Sequence, residues 1–332
     1  MNVRLVVSPI LALQLSTCVS GQQVSQGGDV IGPPVSTAAI AGGEYKQDLL
    51  HRVALEEAAV RQAEDAHASS VTLGRTYVQL GLLYQDVARW ERSEQVLEHA
   101  VSLLQQSSVP TDDLAAALGH LGSLHVEMGK LRDSEKEELE ALKIRLELGD
   151  RLQIARSQSD LATLYLVKQK YVKARDLARL ALAEFDTNEQ AEALDKISIR
   201  FALSEALCSL KDCPSAIPVL KVAMDEAKAT LRPDDFPVGL SEFLLGYAYW
   251  KSGKMAEASE YLERGTALMS VQLGWGHPAY LRALKCYAKF LHESQNVEAA
   301  NIVERRIRQA ESVIDVHSMQ TSQGMTGFAG VR

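Results

Sequence analysis

Aromatic and basic side chains recur at helical spacing towards the C-terminal end of the chain, where they could recognise a ligand. Phe243, Tyr247 and Trp250 are spaced i, i+4 and i+7, which places them on one face of a helix. The same register marks one earlier aromatic residue, Phe201, and two later basic residues, Lys285 and Lys289, with Arg282 one helical turn before them. Rings and arginines are enriched where proteins bind one another. This stripe predicts non-covalent binding of a protein or peptide, although its rings could instead pack between neighbouring helices.

The sequence contains no arrangement typical of an enzyme. We find no HExxH, G-x-S-x-G or P-loop motif. His120 and His125 stand near Glu127, but a spacing of i, i+5 places the two histidines on different faces of a helix. We interpret His125 as a partly buried packing residue rather than a metal ligand. The protein is therefore expected to be non-enzymatic and to need no cofactor or metal.

The four cysteines allow a disulfide but do not indicate a zinc site. Cys208 and Cys213 lie at the end of one predicted helix and the start of the next, so they could pair in an oxidising compartment. Cys213 could equally be a packing residue, and packing is also the role expected of Cys286. Because the chain has no CxxC pair, a zinc site is not expected.

These residues belong to a repeated unit that determines their positions. Tyr77, Leu80, Gly81 and Tyr84 form one helical stripe, and a second stripe follows after a short turn, as in a helical hairpin. Small residues equivalent to Gly81 recur at intervals of 41, 40, 42, 42 and 42 residues. With Gly81 we call them the anchors; they are Gly122, Ala162, Ser204, Gly246 and Ala288. Small residues suit places where two helix axes approach to roughly 8–10 Å. Six in-phase copies predict an all-α array of stacked helical hairpins.

The repeated unit resembles the tetratricopeptide repeat, because its W-x2-L-G-x2-Y pattern is matched here as Y-x2-L-G-x2-Y from Tyr77 to Tyr84. The segment Leu273–Pro278 is similar to the LG-x-x-HP connector of the kinesin-light-chain type of repeat. The resemblance implies a right-handed α-solenoid whose first helices line a concave groove, with the stripe residues facing that groove. A known clamp of the family for C-terminal carboxylates needs Lys and Asn one turn apart, whereas this chain has Val78 and Leu82.

The N-terminal segment resembles an export signal. Residues 1–21 contain Arg4, then a mostly apolar run, then small residues, which predicts a cleaved signal peptide and a place in the bacterial periplasm or outside the cell. The alternative is a cytoplasmic protein with a disordered start. Residues 15–18 also resemble a bacterial lipobox. That resemblance implies a lipid anchor on Cys18 in the outer membrane, although Thr17 departs from the usual Gly, Ala or Ser.

The remaining segments follow from composition and register. A flexible linker rich in Gly, Ser and Pro is predicted for residues 22–43. The repeat array is predicted for 44–314, with a degenerate N-terminal cap at 44–66, six repeats over about 71–307 and the end of a helix near 314. A polar, disordered tail is predicted for 315–332.

Charge and composition limit the partners. The 332-residue chain has a net charge of −8, so a general nucleic-acid surface is not expected, because phosphate binding needs a basic footprint. No apolar run approaches the ~18 residues of a membrane span. The sequence thus predicts a scaffold that binds a protein or peptide in a groove. The alternative is a structural or regulatory module that forms homo-oligomers through its repeats.

Overall fold

The computed structural model describes residues 43–106, 111–273 and 277–325, and the regular elements within these ranges are all α-helices. They are α1 (Gly43–Asp65), α2 (Ser70–Asp86), α3 (Trp90–Leu104), α4 (Asp112–Glu127), α5 (Leu131–Leu148), α6 (Arg151–Val167), α7 (Tyr171–Thr187), α8 (Ala193–Ser209), α9 (Cys213–Thr230), α10 (Phe236–Lys251), α11 (Met255–Leu273), α12 (Pro278–Glu293) and α13 (Val297–Met325). The predicted all-α fold is confirmed.

The helices pack in sequential order within two compact units, which divide between Asp212 and Cys213. In the first unit α2 packs on α3, α4 on α5 and α6 on α7, while α1 packs on α2 and α8 on α7. In the second unit α9 packs on α10, α10 on α11, and α12 on α13. The even-numbered helices from α2 to α12 are the first helices of the six repeats. This sequential pairing is that of a helical-repeat solenoid, as predicted.

The anchors let the two helices of a repeat approach closely. A Cβ atom on Gly81 would lie 2.7 Å from Leu97 Cγ, and one on Gly246 would lie 2.7 Å from the backbone nitrogen of Leu262. Both distances are shorter than van der Waals contact, so a larger residue would push the helices apart. Ser93, twelve residues after Gly81, is fully buried and donates a 2.8 Å hydrogen bond to the Gly81 carbonyl oxygen.

One residue with left-handed backbone closes the turn after each first helix. It lies seven residues after the anchor, and its φ is between 54° and 79° in all six repeats. These residues are Ala88, Gly129, Gln169, Lys211, Gly253 and Gln295. In every turn the next N–H group donates a hydrogen bond of 2.8 or 2.9 Å to the carbonyl oxygen three residues after the anchor. Only two of the six residues are glycine, the residue that adopts this conformation without a steric penalty.

We expect Gln169→Gly to stabilise the first unit by about 0.5–1 kcal/mol. The substitution removes the steric cost of φ 54° at a residue with a side chain, although it also makes the unfolded chain more flexible. The matched control is Gly129→Ala, which should destabilise the same unit because it introduces that cost. Denaturant titrations of both variants would measure the two changes. A neutral or destabilising Gln169→Gly would contradict this account of the turn.

The second repeat carries a carboxylate where four other repeats carry an aliphatic core residue. Glu138 lies sixteen residues after its anchor, as Leu97, Ala178, Leu220 and Leu262 do after theirs. Its side chain is 1% exposed and its Oε2 atom makes no hydrogen bond. Burial and the neighbouring Asp160 raise the pKa of Glu138 well above its usual value, while the charge of Arg145 opposes that shift. The core of this repeat therefore contains an acid that favours its protonated form.

Several predicted segments lie wholly or partly outside the described residues. These include the signal peptide at 1–21, the lipid anchor at Cys18 and nearly all of the linker at 22–43. At the other end the prediction needs correcting, because α13 does not end near Ile314 but continues to Met325. No proline or glycine occurs between residues 315 and 323 to end the helix. Among the described helices, none is long and apolar enough to cross a membrane.

Candidate functional site

The structure buries three of the four aromatic residues of the predicted stripe. Phe201 on α8 is 4% exposed, and Phe243 and Trp250 on α10 are 1% and 3% exposed. Such side chains offer almost no surface to a ligand, so the expectation that all four rings face a groove needs correcting for these three. Tyr247, between them on α10, is only half-buried. It is the one ring of the stripe with appreciable surface.

The rings in the second unit form a cluster that joins α10 to α12. The Trp250 ring meets Phe290 edge-on at 5.8 Å and Tyr247 edge-on at 5.9 Å between centroids. The indole N–H donates a 2.8 Å hydrogen bond to Glu293 Oε2. Both the apolar body and the polar tip of Trp250 are therefore engaged. The cluster fixes the position of Tyr247 beside the first helix of the next repeat.

Lys251 joins this surface, although it is not among the residues of the predicted stripe. Its Nζ atom lies 3.4 Å from the centroid of the Trp250 ring and 5.6 Å from that of Tyr247, which is cation–π geometry. Burial lowers the pKa of Lys251, as does the charge of Lys289, whereas Glu293 raises it. Lys251 follows Tyr247 by one helical turn, and this spacing was the available signal.

The predicted basic residues all lie on α12, in different surroundings. Lys285 is partly exposed and its Nζ lies 2.9 Å from Glu311 Oε1 on α13. Lys289 is half-buried and close enough to Lys251 to lower its pKa. We define the α10–α12 face as Tyr247, Lys251, Lys285 and Lys289. It is a locally basic and aromatic surface on a chain whose net charge is negative.

Arg282 lies at the beginning of α12, next to the helix-capping residue His277. His277 is 3% exposed, and its Nδ1 accepts a 3.0 Å hydrogen bond from the backbone N–H of Ala279. Burial, together with the charge of Arg282, lowers the pKa of His277 to about 4. In the described part of the chain His277 Nε2 and Arg282 Nε are buried and make no hydrogen bond. Burial also lowers the pKa of Arg282.

Two arginines in the first unit occupy the same repeat position as Arg282, six residues before an anchor. Arg75 forms a bidentate pair with Asp113, with both N–O distances 2.7 Å. Arg156 donates two hydrogen bonds of 3.1 and 3.2 Å to Asp195 Oδ2. In each pair the aspartate lies nine residues before the anchor of the following repeat. The two pairs link consecutive first helices.

His125 lies between two glutamates rather than at a metal site. Its Nδ1 is 2.7 Å from Glu137 Oε2 and its Nε2 is 2.8 Å from Glu94 Oε1. Burial lowers the pKa of His125, but the hydrogen bonds to Glu137 and Glu94 outweigh burial and raise it overall. Over the described ranges no group of three or more His, Cys, Asp or Glu side chains could hold a metal ion.

The described cysteines are all oxidised. Cys208, Cys213 and Cys286 are disulfide-bonded, and none of them is a free thiol. The expectation that Cys286 serves only in packing is therefore wrong. The specific pairing of Cys208 with Cys213 stays a prediction.

Family models identify repeats in both units. A model described as tetratricopeptide repeat matches residues 72–147, which span α2 to α5, and a second with the same description matches residues 243–268. No curated protein sequence matches the chain.

Solved structures with similar folds come from several sources. A putative kinesin light chain with nearly identical TPR-like repeats from Podosopora anserina is 19% identical, with a TM-score of 0.53, covering 60% of this chain and 96% of its own. BtubC (BKLC) from P. vanneervenii is 19% identical, with a TM-score of 0.58, covering 68% and 92%. The Rap conjugation gene regulator of plasmid pLS20, in complex with the Phr* peptide, is 15% identical, with a TM-score of 0.59, covering 94% and 83%. At these identities the similarity concerns the fold alone.

Proposed function

Since the chain is a tetratricopeptide-repeat protein, we propose that it is a non-enzymatic scaffold that binds a protein or peptide partner along the first helices of its repeats. The observation that carries this proposal is the α10–α12 face, where Lys251 Nζ lies 5.6 Å from the half-buried ring of Tyr247, and Lys285 and Lys289 lie on α12. An aromatic ring on a rigid cluster loses little conformational entropy on binding, and nearby cations can select acidic partners.

Related folds support this choice of function. The Rap conjugation regulator of pLS20 was solved with the Phr* peptide, and another Rap protein was solved with the competence and sporulation factor. Helical repeats of this kind stack first helices side by side, so a partner can contact several repeats at once. Phe243 and Trp250 are buried, so they would support the proposed surface rather than touch the partner.

A photo-crosslinking residue in place of Tyr247 is expected to capture a partner in the native cell. The matched control carries the same residue in place of Val271, which is 79% exposed on the second helix α11. The proposal expects discrete crosslinked species from position 247 that are absent or much weaker from position 271. Equal labelling from both positions would contradict it.

Once such a partner is identified, Tyr247→Ala should weaken its binding by about tenfold or more. The partner's affinity for each variant can be measured by calorimetry. Trp250→Ala is unsuitable for this test because the ring is 3% exposed and its removal would leave a cavity. An unchanged affinity in Tyr247→Ala would place the interaction elsewhere on the chain.

Self-association through the repeats is the alternative function. Sedimentation at several protein concentrations separates the two, since a scaffold for a separate partner should sediment as a monomer throughout. We also propose that the protein is exported, because disulfides such as those of Cys208, Cys213 and Cys286 persist in oxidising compartments. Sequencing the N-terminus of the protein from its native cell would test signal cleavage and lipidation at Cys18.

A further inference from the structure

We propose that Arg282 and His277 form a binding site for a carboxylate side chain, which an Asp or Glu of the protein partner supplies at the start of α12. This inference rests on the proposed function and specifies the chemistry of the partner. It depends on a comparison of equivalent positions in the repeats and on two buried donors without acceptors.

The repeats themselves show what an arginine at this position binds. Arg75 and Arg156, which occupy the same position in the first and third repeats, each pair with an aspartate of the following first helix. The Arg75 pair is bidentate, the geometry in which a guanidinium group recognises a carboxylate most selectively. In these two repeats the fold thus places an Asp side chain as the acceptor for the arginine six residues before the anchor.

Arg282 belongs to the sixth repeat, and the described residues beyond that repeat form no further first helix that could supply the aspartate. Its Nε–H group is nevertheless buried, and within the described ranges it has no acceptor. A partly buried guanidinium group without a carboxylate is costly, because its charge has lost water without gaining a partner. A carboxylate from outside the chain would remove this cost.

His277 adds a second donor of defined orientation. Because its Nδ1 accepts the hydrogen bond from the Ala279 N–H group, the proton of the neutral ring must reside on Nε2. Burial and the Arg282 charge hold the pKa of His277 at about 4, so the ring is neutral near pH 7. The Nε2–H group is a donor on a side chain that is 3% exposed, and no described atom accepts from it.

The position at a helix N-terminus favours the same ligand. The first turn of α12 contributes partial positive charge, which stabilises an anion close to Arg282 and His277. We favour a protein carboxylate over a nucleic-acid phosphate, because the chain carries a net charge of −8 and long-range repulsion would oppose a polyanion.

The test uses the full-length protein and a probe with one carboxylate, N-acetyl-aspartate N-methylamide. The resonance of the Arg282 Nε–H group, identified by its absence in Arg282→Gln, is followed by NMR near neutral pH as the probe is added. We expect a saturable shift with the aspartate probe and none with the neutral isostere N-acetyl-asparagine N-methylamide. Equal shifts with both probes, or none with either, would overturn the proposal.

Matched variants separate this site from general charge effects. Resonances of the α12 backbone report binding in each variant. Arg282→Gln should weaken binding of the aspartate probe by about tenfold or more, whereas Arg156→Gln, which removes an arginine already paired with Asp195, should leave it unchanged. His277→Asn keeps a capping side chain but loses the Nε2–H donor, so binding should weaken to a smaller extent. Loss of binding in Arg156→Gln would contradict a local site.

The result of the titration with the aspartate probe is independent of the photo-crosslinking experiment at position 247. Probe binding without crosslinks from position 247 would retain the carboxylate site and reject the α10–α12 face. Crosslinks from position 247 without probe binding would retain the α10–α12 face and reject the carboxylate site. Concentration-dependent dimerisation that Arg282→Gln abolishes would overturn the assignment to a separate partner, because the carboxylate would then come from a second copy of the chain.

Discussion

Gly265→Ala is expected to destabilise the second unit by about 2–3 kcal/mol, although it adds a single methyl group. A Cβ atom at this position of α11 would lie 2.4 Å from the backbone nitrogen of Phe243 and 2.7 Å from its Cα. Since both are backbone atoms of α10, no side-chain rotation can relieve the overlap, and the two helices must move apart. The higher helix propensity of alanine stabilises the helix by about 1 kcal/mol, which is less than the destabilisation expected from the overlap.

Gly119→Ala provides the matched control for this substitution. Gly119 also lies inside a helix, but an added Cβ atom would meet only Glu138 Oε2, at 4.0 Å. We therefore expect Gly119→Ala to be neutral or to stabilise by up to about 1 kcal/mol. Hydrogen exchange of α10 and α11, combined with denaturant unfolding, would locate the loss in the Gly265 variant. Similar stabilities for the two variants would mean that α10 and α11 can separate at little cost.

Glu138→Leu is expected to stabilise the first unit by about 1–3 kcal/mol near pH 8. A buried carboxylate with one oxygen unsatisfied costs free energy that an aliphatic side chain does not. Leucine fits this environment, because Gly81 and Leu97 pack at the equivalent positions of the first repeat with a closest Cβ contact of 2.7 Å, the same as that between Gly122 and Glu138. Glu138→Gln should give a smaller gain, since it removes the charge but leaves a polar group in the core.

The stabilisation that Glu138→Leu produces should increase with pH. The pKa of Glu138 is raised in the folded protein above its unfolded value of about 4.3. Protonated Glu138 therefore contributes stability below about pH 4.3, and this contribution is lost as the pH rises through the folded pKa. The stability difference between Glu138→Leu and wild type should grow from pH 4 towards pH 8. A constant difference would show that the carboxyl group has the same pKa in both states.

The sequence was sufficient for the repeats because their register depends on local packing. An anchor such as Gly81 must be small where two helix backbones meet, and that requirement can be recognised in a single amino-acid sequence. The order of thirteen described helices follows from it. Burial of Trp250 could not be predicted in the same way, because it depends on Phe290 one repeat later and on the acceptor at Glu293. Helical spacing predicts the direction in which a side chain points, whereas the exposure of that side chain depends on the residues that the neighbouring repeat packs against it.

The candidate carboxylate site illustrates the same limit. The sequence placed Arg282 beside Lys285 and Lys289 as one basic group, but the structure separates them. Lys285 has an acceptor in Glu311, whereas Arg282 Nε has none among the described residues. The pairing of Arg75 with Asp113 could have been sought by comparing repeats, since both positions recur at fixed distances from an anchor. The absence of an acceptor for Arg282 Nε among the described residues becomes meaningful only when this pairing is known.

The left-handed turns have a consequence for how the chain can change in length. Three residues separate the two helices of every repeat, whereas the connectors between repeats vary from two residues, after Leu148, to seven, after Leu104. A turn closed by one residue of fixed conformation cannot accept an insertion without losing the hydrogen bond that ends the first helix. The connector after Leu148 is also closed by a left-handed residue, Gly149, but the described residues of the longer connectors between the six repeats include none. Grafted domains, epitope tags or lineage-specific insertions should therefore be tolerated between repeats and rejected within them, which makes each hairpin the indivisible module of this protein.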